Sequence, residues 1–521
     1  MSATSLRELL SLPGALRLLG GARAEELQVS GISSDSRRVS KGDLFAALPG
    51  RNVDGARFLE QAIKRGAVAV LSERELASSI PVLVVDDVRK RLGALAQHLY
   101  GDPTRELVTI GVTGTNGKTT VTHLLESVLE QAGQRPALLG TIALRGPAGE
   151  EAAELTTPES DRVAKFARKA RDAGASHLLI EVSSVALAEQ RVSGMRFSVA
   201  AFTNLTHDHL DYHGTLEAYG EQKARLFTDC APETSVIVTD EPFGRALAER
   251  AAAQPNARVI RCSVAVSDAA TDASAATAVE PPADVRVLRF SSSRDGLSAE
   301  LETPLGSLSL QSPLFGAHNL ENLVVTIGCA IAVGIDLATI SAALRKAKGA
   351  PGRMERVHDP RGVLVLVDYA HTPDALTRAL LSLRPLTSGR LFVVFGCGGD
   401  RDRQKREPMA EAAARGADVA LLSSDNPRTE SLSQILADME PGAARVLPKL
   451  ALPKLRAASR GYAVIPDRAQ AILAALEAAR PGDTVLLAGK GHETYQVVGS
   501  TRYAFDDRIQ AARALTSLGG G

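Results

Sequence analysis

Apolar residues fall along this chain in short solid runs, separated by stretches in which they recur at helical spacing. That alternation predicts β-strands and α-helices in turn, and so a mostly parallel α/β protein. Residues 107–133 give the clearest case. Leu107, Val108, Ile110 and Val112 make an apolar run, which breaks into the polar, glycine-containing Thr113-Gly114-Thr115-Asn116-Gly117-Lys118-Thr119-Thr120. Val121, Leu124, Leu125, Val128 and Leu129 then recur at i, i+3, i+4, i+7 and i+8, one face of a helix, and Gly133 follows as its stop. The prediction is strand, tight turn, helix.

The same reading divides the chain into three domains. Residues 1–105 form a small α/β unit, with strands near Gly42–Leu48, Ala67–Leu71 and Val82–Val85 and helices near Phe58–Arg65 and Val88–Tyr100. Gly101-Asp102-Pro103 punctuates its end. Residues 106–347 predict a central, mostly parallel sheet with strands at 107–112, 177–182, 198–203 and 235–239. Ala265–Ala283 lacks periodicity and reads as a loose surface insertion. A weaker pattern through Val287, Phe290, Leu297 and Leu301 predicts antiparallel strands, and His318–Val333 a helix. After Gly349-Ala350-Pro351-Gly352, residues 348–521 form a Rossmann-like α/β domain, with strands at Val363–Val367, Leu391–Phe395, Val419–Leu422 and Thr484–Leu487. No internal repeat is visible.

A chain of 521 residues is too long for one core, which agrees with several domains. Lys+Arg and Asp+Glu are both 60, so the balanced charge gives no reason to expect nucleic acid or an anionic membrane as partner. No apolar run reaches membrane-spanning length. Cys230, Cys262, Cys329 and Cys397 form no CxxC pair and read as free thiols of a reducing compartment. The expectation is a cytoplasmic protein acting as a monomer.

Candidate chemistry starts at the glycine-containing turn. Glycines let backbone N–H groups curl round a phosphate, and the following helix N-terminus adds partial positive charge. Lys118 is placed to reach the β- and γ-phosphates, and the Thr119 hydroxyl to ligate Mg²⁺. The spacing departs from the strict phosphate-loop pattern, because Val112 stands where its first glycine belongs. Glu181, ending the strand His177–Ile180, is either a second Mg²⁺ ligand or an ordinary strand-end carboxylate. His207, Asp208, His209, Asp211 and His213 crowd into seven residues. Oxygen ligands with one imidazole suit Mg²⁺ or Mn²⁺ better than zinc, and His207 and His213 read as structural or substrate-facing. Taken alone, Lys223 reads as a surface lysine on an amphipathic helix. In the last domain four strand ends carry charged or glycine-rich turns: Asp368–His371, Gly396–Arg401, Asp425–Arg428 and Gly489–Glu493. Ligands of open α/β sheets bind there.

Together these stretches resemble the Mur ligase family of ATP-dependent amide-forming enzymes. The motifs carrying the resemblance are Gly114–Thr120, Glu181-Val182-Ser183-Ser184, Asn204–Asp211, Gly316-Ala317-His318-Asn319, Pro351–Glu355 and Asp368–Pro373. They span nearly the whole chain in the family's order. The resemblance implies that Gly114, Thr115, Asn116, Gly117, Lys118, Thr119, Thr120, Asn319, Arg353 and Asp368 bind ATP. It implies Mg²⁺ at two sites held by Thr119, Glu181, His209 and Lys223, the last carrying a carbamate derived from CO₂. Lys118, Lys223 and His209 would serve catalysis. Ser34, Ser36, Arg51, Asn52 and Val53, with Thr156, Thr157, Ser183 and Arg191, would hold the UDP-linked substrate. Val185 stands where the family usually has histidine, which puts that side chain's role in doubt, and Glu189 and Gln190 occupy a variable stretch.

The implied reaction phosphorylates the terminal D-glutamate carboxylate of UDP-N-acetylmuramoyl-L-alanyl-D-glutamate and lets an amine attack the acyl phosphate. Arg401, Asp425, Asn426, Pro427, Arg428, Gly489 and Glu493 resemble the positions of members that add meso-diaminopimelate. Arg428 offers a fork for the carboxylate that distinguishes it from L-lysine, and Glu493 a partner for its ammonium. A folate polyglutamate-forming ligase would share the nucleotide motifs, but the nucleotide-binding first domain and Asp425–Arg428 argue against it. Lys118, Glu181, His209 and Lys223 argue against a binding module without ligase activity.

Overall fold

The computed structural model describes residues 4–13, 17–21, 23–50, 53–206, 208, 210–266 and 283–519. Arg51, Asn52, His207, His209 and most of the 265–283 insertion lie outside the described residues. The chain packs into two compact units: residues 1–289, 300–309 and 321–344 form one, and 290–299, 310–320 and 345–521 the other.

The first unit contains two main sheets beside a short antiparallel pair, Thr4–Ser5 with Gln28–Val29. The N-terminal one runs Arg17–Leu19, Val82–Val84, Ala69–Ser72, Asp43–Ala46, Gly31–Ser33 in spatial order, parallel except at the Arg17–Leu19 edge. The helix Val88–Leu99 covers it with buried Val88, Leu92, Leu95, Ala96 and Leu99. The expected turn at Gly101-Asp102-Pro103 is a left-handed corner, with φ of 73° at Gly101 and 48° at Asp102.

In the second sheet Val108–Thr113 lies between His177–Glu181 and Val199–Phe202, parallel to both. Pro136–Leu139 continues beyond the first neighbour, and Thr234–Val238 and Arg258–Ser263 beyond the second, all parallel. These strands are short and apolar because both faces are covered; Leu178, Leu179 and Ile180 are all fully buried. The helix Lys118–Gln131 buries the five apolar residues of its predicted face completely. At about 1.5–3 kcal/mol per side chain, that face anchors the helix, and with it the turn that precedes it. Gly133 closes the helix at φ 73°, with its N–H on Glu130 O and that of Gln134 on Leu129 O. The weaker pattern further on forms the strands Val285–Ser293, Gly296–Thr303 and Gly306–Ser312, followed by the helix Ala317–Ala332.

The second unit holds a six-stranded sheet in the order Glu355–Val357, Leu364–Asp368, Thr484–Ala488, Leu391–Phe395, Val419–Leu422, Gly461–Val464. Only the Glu355–Val357 edge is antiparallel. The four turns singled out from the sequence therefore leave one edge of one sheet together. Two strands of this sheet escaped the pattern, Glu355–Val357 and Gly461–Val464, because three or four residues at a sheet edge leave too short a periodic signal.

Candidate active site

The turn after Val108–Thr113 bends as the glycines require. Gly114 has φ 146° and Gly117 φ 91°, and a Cβ on Gly114 would lie 1.9 Å from Thr203 Oγ1. The turn is braced by the segment after the neighbouring strand. Thr115 N–H donates to Asn204 O (2.8 Å), Asn116 N–H to Asn204 Oδ1 (3.0 Å), Thr206 N–H to Thr115 Oγ1 (2.9 Å) and Thr203 Oγ1 to Asn116 O (2.6 Å). Asn204 to Thr206 thus hold the shape of the turn. Beside them a cavity of about 260 Å³ is lined by Phe202, Asn204, Asp240, Phe243 and Glu321 among others.

Two lysines converge on one carbonyl. Lys118 Nζ donates to Gly114 O (2.8 Å) and Thr115 O (2.9 Å), and Lys223 Nζ donates to the same Gly114 O at 2.8 Å. Lys223 is 1% exposed. Its reading as a surface lysine is therefore corrected: the helix Leu216–Thr228 turns its buried face, Tyr219, Lys223 and Phe227, toward the nucleotide turn. The ammonium lies 4.2 Å from the Tyr219 ring centroid. Burial, then the neighbouring Lys118 charge, pushes the Lys223 amine well below the ordinary lysine range, while Asp208 opposes the shift weakly. Lys223 is thereby biased toward a neutral, nucleophilic amine.

Glu181 is completely buried, which decides against an ordinary strand-end carboxylate. Its Oε2 accepts from Thr119 Oγ1 (2.9 Å) and Thr141 Oγ1 (3.0 Å), and its Oε1 from Thr141 N–H (2.9 Å). A buried carboxylate against a threonine hydroxyl at a phosphate-type turn is an oxygen donor set suited to Mg²⁺. Among the described residues no group of three or more His, Cys, Asp or Glu gathers closely enough to hold a metal ion by itself.

The residues expected to hold the UDP-linked substrate adjoin this carboxylate. Thr157 Oγ1 donates to Glu181 O (2.8 Å) and accepts from Ser183 N–H (3.1 Å), and Thr156 Oγ1 lies 3.1 Å from Thr141 Oγ1. Arg191 Nη1 donates to Thr157 O (3.2 Å) and pairs with Glu159 and Glu189 at 3.0 Å each. Arg89 bridges the same two glutamates at 3.3 and 3.2 Å. His213 sits between the rings of Tyr212 and Tyr219, with Nε2 3.0 Å from Ser184 Oγ. In the N-terminal part Ser34 is held by Asp161, through N–H to Oδ2 (2.9 Å) and Oγ to Oδ1 (3.0 Å), and Ser36 Oγ donates to Gln61 (2.8 Å). Val53 is largely exposed.

In the second unit Asp368 shapes its own turn, accepting from Met354 N–H and Ala370 N–H at 2.8 Å each. The Arg353 guanidinium lies 4.7 Å from the Tyr369 ring centroid, and Asn319 Nδ2 donates to Phe315 O (2.8 Å). At the neighbouring strand ends Asn426 is a hub. Its Nδ2 donates to Glu493 Oε2 (2.9 Å) and Asp425 Oδ1 (3.2 Å), and its Oδ1 accepts from Val497 N–H (2.9 Å). Arg428, at φ 52°, donates from Nη1 to Gly399 O (2.7 Å). Arg401 is exposed on the Gly396–Arg401 turn. Gly489 follows its strand at φ 110°.

Sequence reasoning missed Thr141, Lys490 and Gln496. Thr141 follows Pro136–Leu139, a strand the pattern did not single out. Lys490 stood in a noted turn, but nothing in its neighbours announced complete burial. Gln496 reaches Asp425 O (2.7 Å) and Ser424 Oγ (2.8 Å) from the hairpin Tyr495–Val498/Thr501–Ala504, which no strand signal had marked.

Comparison with known proteins agrees with this arrangement. Residues 28–100 match the model of the Mur ligase family catalytic domain, 112–330 that of the Mur ligase middle domain, and 352–491 that of the Mur ligase glutamate ligase domain. A UDP-N-acetylmuramoyl-L-alanyl-D-glutamate–2,6-diaminopimelate ligase of Gloeobacter violaceus is 42% identical over 521 residues, 99% of each chain. The enzyme of the same name from Geobacillus thermodenitrificans is 41% identical over 98% of this chain and 99% of its own. A solved structure of a ligase of that name superposes with a TM-score of 0.70 at 34% identity, covering 100% of both chains.

Proposed function

This chain belongs to the Mur ligase family, an ATP-dependent amide-forming ligase of three domains, and we propose that it joins meso-diaminopimelate to UDP-N-acetylmuramoyl-L-alanyl-D-glutamate. The observation that carries this reading is the 42% identity, over 99% of both chains, to a ligase of that name. The strand-end cluster around Asp425 and Arg428 supports it with the charges a diamino diacid needs. The domain limits that go with this reading are 1–105, 106–347 and 348–521. We place the enzyme in the cytoplasm as a monomer, working on a soluble nucleotide-linked substrate.

In this reading Lys118 leaves the carbonyls of Gly114 and Thr115 to meet the γ-phosphate. The backbone of Gly114–Thr120 cradles the phosphates, and Asn319, Arg353 and Asp368 take up the rest of ATP. Lys223, unprotonated, adds to CO₂: its nitrogen forms the N–C bond as one C–O π bond of CO₂ opens, the nitrogen loses a proton to solvent, and the neutral amine becomes an anionic carbamate. Thr119, Glu181 and that carbamate would hold Mg²⁺, with His209. When bound, Mg²⁺ offsets the repulsion between the substrate carboxylate and the γ-phosphate. Thr156, Thr157, Ser183 and Arg191 hold the muramoyl-dipeptide with its D-glutamate carboxylate toward the phosphate, while Ser34, Ser36, Arg51, Asn52 and Val53 hold the UDP end. The carboxylate oxygen attacks γ-phosphorus and ADP leaves. The amine of diaminopimelate then attacks the acyl carbon, the C–O bond to phosphate breaks, and the amine loses a proton. Arg401, Arg428, Asn426 and Glu493 orient that amino acid.

Purified protein supplied with ATP, Mg²⁺, the UDP-muramoyl-dipeptide and diaminopimelate is expected to release phosphate only when all are present. It should prefer diaminopimelate to L-lysine in direct competition. Equal or preferred use of lysine would overturn the choice of amino acid. Phosphate release without the muramoyl substrate would overturn the ligase assignment itself.

A further inference from the structure

The amino-acid cluster of the second unit contains a charge that its expected role leaves unexplained. Lys490 is fully buried at the carboxyl end of Thr484–Ala488. Its Nζ lies 3.0 Å from Glu493 Oε2, 3.6 Å from Asp425 Oδ1 and 3.5 Å from Asn426 Oδ1. Asn426 Nδ2 reaches the same two carboxylate oxygens. The inner oxygen of each acid is therefore occupied from within the protein. Among the described residues no hydrogen bond engages Asp425 Oδ2 or Glu493 Oε1. Arg428 has only Nη1 committed from its guanidinium, to Gly399 O.

Charge bookkeeping then defines what fits. Asp425 and Glu493 carry two negative charges and Lys490 cancels one. The adjacent Arg468 and Asp507, both fully buried and paired at 2.6 Å, cancel each other. The surplus is one negative charge with two open oxygens, beside one guanidinium fork. A zwitterionic end, one ammonium with one carboxylate, meets both. An end carrying an ammonium alone brings no carboxylate to the Arg428 fork, and so forgoes the pairing that a zwitterionic end makes there.

We propose that Lys490 is the positioning residue that sets the selectivity of this site, holding Asp425 and Glu493 apart from full negative charge so that the pocket takes a zwitterionic amino-acid end in preference to a purely cationic one. The proposal rests on the diaminopimelate reading and deepens it. Without Lys490 the pocket has two uncancelled carboxylates, and a single extra cation becomes the better match. Lys490 therefore acts through the residues it touches, and the substrate meets those.

The test measures kcat/KM for meso-diaminopimelate and for L-lysine with wild type, Lys490→Met and the charge-restoring double variant Asp425→Asn/Lys490→Met. KM values for ATP and the UDP-linked substrate are followed alongside. Lys490→Met should lower the diaminopimelate-to-lysine ratio at least tenfold, through the amino-acid KM, with the other two KM values unchanged. The double variant should recover most of the ratio although it still lacks the lysine, which a merely structural role would not produce. An unchanged ratio in folded Lys490→Met, or no recovery in the folded double variant, overturns the proposal. If Lys490→Met does not fold, the double variant decides alone: retained preference for diaminopimelate supports the charge role, and a lysine preference overturns it. Failure of the wild type to use diaminopimelate would instead strike the reading beneath the proposal.

Discussion

The two buried lysines, Lys223 beside the nucleotide turn and Lys490 beside the amino-acid cluster, answer burial in opposite ways. Lys223 has one carbonyl, one aromatic face and a second lysine for company. Lys490 has two carboxylates. The same side chain, equally withdrawn from water, is pushed toward a neutral nucleophile beside a like charge in one place and set between two carboxylates in the other. Burial alone disfavours the charged form of a lysine, and the charges within about 4 Å reinforce or oppose that pressure.

The contrast breaks most sharply at Lys223. Lys223→Ala should abolish measurable ligation while leaving the thermal melting curve close to wild type, and added short carboxylates should restore part of the activity by supplying the carbamate's oxygens. Full activity in the alanine variant would show that no carbamate is needed. Lys118→Ala tests the other half of that pair. Turnover should fall by about 10²–10³-fold or more, the cost of removing one fixed charge from a developing anion. Carbamylation followed by ¹³CO₂ labelling should also decline, because Lys223 loses the neighbour that disfavours its protonation.

On the amino-acid side, Arg428→Ala should cost about 2–5 kcal/mol of preference for diaminopimelate over lysine, the usual loss when one partner of a desolvated charge pair is removed. Competition assays read it directly. Arg468 and Asp507, fully buried beneath the same cluster, sharpen the comparison through stability. Asp507→Asn should destabilise the fold by about 3–5 kcal/mol in urea unfolding, because Arg468 is left buried without its countercharge. The smallest effect is expected at His492. Burial first, and the Arg353 charge second, hold it down to about 4 against an ordinary 6.5. The unfolded chain therefore takes up this proton first, and the stability involved is present above pH 6.5 and lost as pH falls toward 4. His492→Gln should flatten that limb of the stability profile.

The fold was legible wherever an apolar run was long enough to be periodic. Val108–Thr113, Leu391–Phe395 and Val419–Leu422 fall where the pattern puts them, to within a residue. Pro136–Leu139 and the hairpin Tyr495–Val498/Thr501–Ala504 did not announce themselves. The first is four residues opened by a proline, and the second is half-exposed, so neither shows a clean alternation. The nucleotide turn was legible because its function demands glycines at fixed places. Lys223 was not, since helical spacing places a residue on a face without saying what that face meets. The family resemblance alone pointed to it, and the packing of Leu216–Thr228 against the turn shows why the side chain is buried there.

The hairpin after Lys490 has a consequence for retargeting. It is stitched to the 425–428 turn along its length: Val497 N–H meets Asn426 Oδ1, Arg428 N–H meets Val497 O, Gly499 N–H meets Arg428 O, and Gln496 clasps Asp425 O. The four-residue turn and the hairpin thus behave as one cassette, separated in sequence and continuous in space. Transplanting the turn alone from a ligase of different preference would strand these backbone donors and acceptors. Residues 424–428 and 489–504 have to be exchanged together, and the parallel strands that carry them provide the seams at which to cut.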